Sequence, residues 1–284
     1  MTAGKYKSTG QKNKILCSTG VIIQNHSVNY PNLCRIGNNV ECDGIELMFS
    51  QGWYGIEEQV LSVCKSSSLF FASIHMDKQI GEMISRNEND DYDRAFEYFE
   101  INCKMAKNLG IPLAVLHLWG GPPSDKHIEL NLEAFSHLYD VAQNYGITLT
   151  IEGVVCNQQD PLTHMRRLCS LFPDKIKFTL DTRQMEFHGL LEQAMACDCL
   201  WENKRMAHVH ISDYSGEYMQ WTNLKNILHP GEGHIDFDSF FGSLKKRGYD
   251  GMITLESKGF YNGELDLERV NRSLRQLREM AKVP

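Results

Sequence analysis

The stretch MAHVHISDY, Met206 to Tyr214, alternates Ala207, Val209 and Ile211 with His208, His210 and Ser212. That period of two is the signature of a β-strand, and it turns both imidazoles to one face. In an open sheet such a face would be a surface or a packed layer. In a barrel it is the interior, so the rest of the chain decides what the two histidines are for.

Seven further runs rich in apolar and β-branched residues fall at 14–21, 44–49, 69–76, 111–118, 147–153, 176–182 and 251–257, making eight strand candidates with 206–213. Between them, helical periodicity predicts helices over 91–109, 127–145, 160–172, 236–247 and 264–281. KNLGI, QNYGI and KKRGYDG each place a glycine where a helix ends and the next strand begins. Repeated βα units in one domain of about 250 residues match a (β/α)8 TIM barrel, the fold class expected here. The rival is a doubly wound sheet, but STGVIIQNH after the first strand lacks a Gly-rich dinucleotide fingerprint. No low-complexity linker divides the chain, so a flexible tail at 1–12 and one barrel domain at 13–284 are expected. The least regular segments, 22–43 and 214–235, follow strands, where a barrel carries its active-site loops.

Composition narrows the function. The chain has 284 residues, 42% of them hydrophobic and 23% charged, with a net charge of −7. This is an ordinary globular balance. An acidic chain exerts no long-range pull on nucleic acid or anionic lipid, so a small-molecule partner is expected, with neither nucleic acid nor membrane. Nine cysteines, an odd number without a CxxC pair, suit free thiols in a reducing cytoplasm. The N-terminus is basic but lacks an apolar signal core, and no run reaches the length of a membrane span.

The chemistry lies in the polar residues of the strands. Glu46, His75, His117, Glu152, Asp181, His210 and Glu256 occupy strand candidates, nearly all at C-terminal ends, with His208 two residues before His210. A closed barrel brings those ends to one mouth. Carboxylates crowded there repel and raise one another's pKa unless a cation neutralises them. Carboxylates with an imidazole and no thiolate suit one divalent ion, Mn²⁺, Mg²⁺, Co²⁺ or Zn²⁺.

TIEG with Glu152, TLDT with Asp181, HVHISD with His210, HPGEGHIDF at 229–237 and GYDGMITLES with Glu256 together resemble the xylose isomerase-like TIM barrel superfamily. The likeness is to its sugar phosphate isomerase/epimerase group, with D-tagatose 3-epimerase and inosose isomerases and dehydratases. It implies that Glu152, Asp181, His210 and Glu256 hold the metal. It also implies that Glu152 and Glu256 are the catalytic pair, with His75 and His117 beside substrate or metal and Glu46 deeper in the pocket. Trp119, in LHLWGGPP, is a candidate wall for a sugar ring. Arg183 and Lys258 are candidates for binding a substrate carboxylate or phosphate. His208 is expected to support His210 from behind, and Asp213 to orient a ligand or a substrate hydroxyl. Homodimers or homotetramers follow from the same resemblance.

The implied reaction is sugar, ketose or inosose isomerisation or epimerisation, by proton transfer through a metal-stabilised enediolate. Loss of a β-hydroxyl would instead make a dehydratase. An endonuclease IV-like phosphodiesterase is a third reading, weakened because Gln184, Asn226 and Ile227 stand where its additional zinc ligands belong. A barrel without activity, serving as a binding subunit, is a fourth. Gln184 and Gly216 also replace a His and an Arg that the ketose 3-epimerases share, which points to a different polyol, an inositol derivative or a modified sugar.

Overall fold

A computed structural model describes residues 13–282; the tail expected at 1–12 lies outside them. Eight parallel strands close into a barrel in chain order, with β8 returning to pair with β1. They are β1 Ile15–Ser18, β2 Gly44–Met48, β3 Phe71–His75, β4 Leu113–Leu116, β5 Thr148–Glu152, β6 Phe178–Asp181, β7 Met206–Ile211 and β8 Met252–Leu255. The expected (β/α)8 architecture is the one found.

The expected helices form at Asp91–Leu109, Ile128–Asn144, Pro161–Leu171, Phe237–Lys246 and Leu267–Lys282. Their ends follow local chemistry. Asp160 and Asp236 accept from Thr163 N and Ser239 N, satisfying backbone donors at the helix starts. Gly110 and Gly146 take φ of +70° and +73°, a left-handed conformation that favours glycine, and turn the chain toward β4 and β5. Apolar stripes then face the barrel; Val270, Leu274 and Leu277 on the last helix are wholly buried.

The expectations differ from the structure in three places. Helices at Glu57–Ser66 and Gln79–Arg86 complete the βα repeat although they were not expected. The first strand stops at Ser18, whose hydroxyl accepts from Gly20 N and starts a helical turn at Thr19–Ile22. The segment 264–266 is not helical, because Glu264–Leu265 pairs with Phe260–Tyr261 in a small antiparallel ribbon.

Register positions the site. Glu152 is level with Thr179, Asp181 with His210, and His210 with Thr254. The four expected ligands therefore climb a tilted path around β5 to β8 and meet at one mouth. Beneath them the interior is polar: Thr150 Oγ1 lies 2.7 Å from Thr179 Oγ1, and His208 Nε2 lies 2.6 Å from Thr254 Oγ1.

Candidate metal centre

Glu152, Asp181, His210 and Glu256 converge so that one donor atom from each lies within 4.8 Å of the others. Asp181 has a second task. Its Oδ1 accepts from Gln184 N at 2.7 Å and starts the helix Thr182–Phe187, which leaves Oδ2 for the cluster. Asp181 Oδ2 and Glu256 Oε1 are buried without a hydrogen-bond partner. Orphaned carboxylate oxygens are costly in a protein interior. Two of them within a four-donor O and N set fit a divalent cation.

His210 is held from both sides. Its Nδ1 lies 3.1 Å from Glu152 Oε1 and 3.5 Å from Glu256 Oε2, whereas its Nε2 lies 3.1 Å from Glu46 Oε1. A proton on Nε2 shared with Glu46 leaves the Nδ1 lone pair directed into the cluster, the arrangement by which an outer carboxylate orients a metal-binding imidazole. Glu46 is fully buried and also accepts from Ser73 Oγ at 2.8 Å. It sits behind His210, on the ring edge turned away from Glu152 and Glu256, rather than beside the cluster's donors where substrate contact was expected.

His75 and His117 both turn Nε2 toward Glu152 Oε2, at 3.2 and 2.7 Å, and His75 Nδ1 is anchored 2.9 Å from the Met76 carbonyl oxygen. Gln184 Nε2 approaches Glu152 Oε1 at 3.4 Å while Gln184 Oε1 accepts from Val155 N. Gln184, known from the sequence only as a departure from relatives, therefore touches a member of the cluster. His208 is buried behind His210, with its Nε2 3.5 Å from Glu46 Oε2.

These contacts separate the ionisation of chemically similar groups. Burial opposes the charged form of Glu46, but the His210 and His208 rings prevail and hold its carboxyl down at about 2. Burial likewise opposes Glu152, which His117 and His210 hold well below the usual carboxylate range. Asp181 goes the other way. Burial raises it, Arg183 pulls against the rise, Glu152 and Glu256 add to it, and the carboxyl ends at about 6. His117 and His208 are pushed down by burial to about 4 and about 3, so both rings are neutral near pH 7. His210 is raised well above its ordinary value because Glu46, Glu256 and Glu152 outweigh its burial.

Two more sequence expectations are corrected. Trp119 is wholly buried, donates from Nε1 to the Val154 carbonyl at 3.2 Å and meets the His164 ring edge-on, so it packs beneath the loop and offers no face to a sugar. Asp213 is also fully buried. Its two oxygens accept from the backbone N–H groups of Tyr214, Gly231, Gly233 and Ile235, which clamps the HPGEG turn and leaves no oxygen to orient a ligand or substrate. A similar brace was missed: Asp125 accepts from Asn157, Gln158 and Gln159 N and lies 3.0 Å from His164 Nε2, joining the loops after β4 and β5.

Arg183 and Lys258 stand at the mouth, on the wall of a cleft that also includes Glu256. Arg183 donates to Ser212 Oγ and the Leu224 carbonyl, and Lys258 Nζ lies 5.0 Å from the centre of the Tyr261 ring. At Gly216 an added Cβ would fall 2.3 Å from Tyr214 Oη, so this loop packs closely against that tyrosine.

A closed parallel barrel with an acidic, imidazole-bearing cluster at the C-terminal ends of β5 to β8 defines a TIM barrel whose mouth carries a candidate metal centre. The xylose isomerase-like TIM barrel model matches residues 36–280, and the chain belongs to that family. An L-ribulose 3-epimerase of Methylomonas sp. (strain DH-1) is 29% identical over 153 residues, 52% of this chain and 48% of that protein. That match spans about half the relative's length. An inosose dehydratase of Erwinia tasmaniensis is 24% identical over 204 residues, 67% of each chain. The crystal structure of the IOLI protein with a binding zinc atom superposes with a TM-score of 0.69 at 15% identity, covering 94% of this chain and 98% of that one. At that identity it shows the fold alone. No helix among the described residues is long and apolar enough to cross a membrane.

Proposed function

We propose that this protein is a divalent-metal-dependent isomerase or epimerase acting on a sugar, ketose or inosose by proton transfer at the carbon beside a carbonyl. The observation that carries this reading is the pair of orphaned oxygens, Asp181 Oδ2 and Glu256 Oε1, within the four-donor set. A cation held by Glu152, Asp181, His210 and Glu256 would supply fixed positive charge where the substrate oxygens become negative.

The protein groups divide the proton work. Glu256 is the one member of the four-donor set that borders the open cleft, so it takes the first proton. Glu152 and the His117 ring 2.7 Å from it form the second proton site: a proton taken up there from solvent is returned to carbon, and the proton on Glu256 is released to solvent to close the cycle. Return to the opposite face gives epimerisation; return to the neighbouring carbon gives isomerisation.

A second reading is favoured by the inosose dehydratase match, which spans more of this chain than the ribulose epimerase match does. In it the same base removes the proton, and the hydroxyl departs as water with a proton taken up from solvent and relayed through His117. Elemental analysis of the purified protein, followed by NMR of ketoses and inososes incubated with it in D₂O, tests both readings. Stoichiometric divalent metal with deuterium at the α-carbon supports the proposal, with dehydration recognised by its unsaturated product. Absence of both metal and exchange defeats it.

A further inference from the structure

Among the nine free cysteines, Cys197 and Cys199 bring their sulfurs to within 3.4 Å of each other. Both are half-buried on the connection from β6 to β7. Residues two apart on a helix do not face each other. Here Cys197 stands just before the helical turn Asp198–Trp201 with φ −79° and ψ 95°, and this non-helical backbone turns the two thiols together. The Cys199 end is fixed, because its carbonyl accepts from Arg205 Nη1 at 2.8 Å and from Cys169 Sγ at 3.3 Å. Arg205 directly precedes β7, so the pair lies toward the end of that strand opposite His210.

The two sulfurs have different surroundings. Arg166, on the helix Pro161–Leu171, donates from Nε to Cys197 Sγ at 3.4 Å. Its neighbour Arg167 pairs with the Glu129 carboxylate instead. A guanidinium aimed at sulfur favours the thiolate, the form that attacks an oxidant. Cys199 has the opposite bias: burial, with Cys197 and Cys169 beside it, pushes its thiol up to about 12. It therefore keeps its proton and donates it toward the Cys197 sulfur. Among the described residues no three-donor cluster includes this pair, which favours disulfide chemistry over metal binding.

We propose that Cys197 and Cys199 form a reversible dithiol–disulfide site that reacts with hydroperoxides. The Cys197 thiolate attacks a peroxide oxygen and the O–O bond breaks. The leaving alkoxide or hydroxide takes a proton from solvent, and Cys197 becomes a sulfenic acid. The Cys199 sulfur then attacks the Cys197 sulfur, the S–O bond breaks, and the departing hydroxide leaves as water with the Cys199 proton. The peroxide is reduced by two electrons, and the two thiols are oxidised to one disulfide. A small dithiol reverses the change by thiol–disulfide exchange. The site shares no residue with the metal cluster and stands independently of the isomerase reading.

Trypsin gives a direct readout. Cleavage after Arg183 and Lys204 leaves both cysteines in the peptide 184–204, whereas Cys169 falls in the separate peptide 168–175. Full-length protein is treated with hydrogen peroxide, blocked with N-ethylmaleimide, digested without reduction and weighed by mass spectrometry. The peptide 184–204 is expected unalkylated and lighter by two hydrogens, and doubly alkylated if dithiothreitol precedes the block. Its oxidation is expected to be about tenfold faster than that of Cys34 or Cys42, which are also half-buried.

Arg166→Gln should slow disulfide formation about tenfold, and Arg167→Gln on the same helix should leave it unchanged. Arg166 is exposed, so its replacement leaves the core intact. Cys199→Ser should halt the reaction at a sulfenic acid on Cys197, trapped by dimedone. A doubly alkylated 184–204 after peroxide, a cross-link between 168–175 and 184–204, or equal rates in wild type and Arg166→Gln overturns the proposal.

Discussion

The Glu46 carboxylate lies 3.1 Å from His210 Nε2, on the ring edge opposite the Nδ1 that faces Glu152 and Glu256. This contact decides which nitrogen is offered to a cation. Glu46→Gln keeps the shape but removes the charge that holds the Nε2 proton. Divalent-metal affinity is expected to fall about 10- to 100-fold, the usual cost of losing an outer carboxylate. Competition against a fluorescent chelator measures it, and unchanged affinity would show that Glu46 does not orient His210.

Asp181 gives a pH-dependent stability prediction. Its folded pKa, about 6, is above the ordinary 3.8. The protonated folded state is therefore favoured, and the stability this group contributes at low pH is lost as pH rises through about 6. Asp181→Asn removes that loss. In chelator, urea unfolding should find wild type and variant similar near pH 4. Near pH 8 the variant should be more stable, by up to about 3 kcal/mol at 1.36 kcal/mol per pKa unit. Excess divalent metal should reverse the order, because only the aspartate can ligate it. A wild type more stable than the variant at pH 8 without metal would contradict this account of the cluster.

Trp119 should behave as a packing residue. Trp119→Phe leaves the Val154 carbonyl without its donor and a gap beside His164, at an expected cost of about 1–3 kcal/mol. Its KM should remain within a factor of two of the wild type. A large rise in KM with unchanged stability would restore the sugar-wall role.

The barrel and the convergence of Glu152, Asp181, His210 and Glu256 were legible because each ends or nearly ends a β-branched run, whereas the choice of these four as ligands came from the family resemblance. Glu152, Asp181 and His210 fall inside β5, β6 and β7, and Glu256 follows β8 directly. Strand periodicity thus predicts direction and closure predicts convergence. Trp119 and Asp213 lie past their strands, where alternation no longer says which way a side chain points. The partners of Asp213 are backbone groups as far as Ile235, set by how the loop folds back. Lys78 and Lys225 carry no periodic mark at all, since their place in the wall of the cleft beside Glu256 is a property of loop placement. The helix Glu57–Ser66 was obscured by a narrow apolar stripe, its buried positions limited to Val60, Leu61 and Cys64.

The central claim is that Glu152 and Glu256 move the substrate proton, and deuterium exchange from D₂O into a reactive ketose or inosose by metal-loaded wild type, Glu152→Gln and Glu256→Gln tests it most directly. Metal content must be measured in the same samples, because both residues are also candidate ligands. The account predicts that exchange falls at least 100-fold in each variant under saturating metal, a loss in line with removing a general base. Wild-type exchange rates in both metal-loaded variants would contradict it.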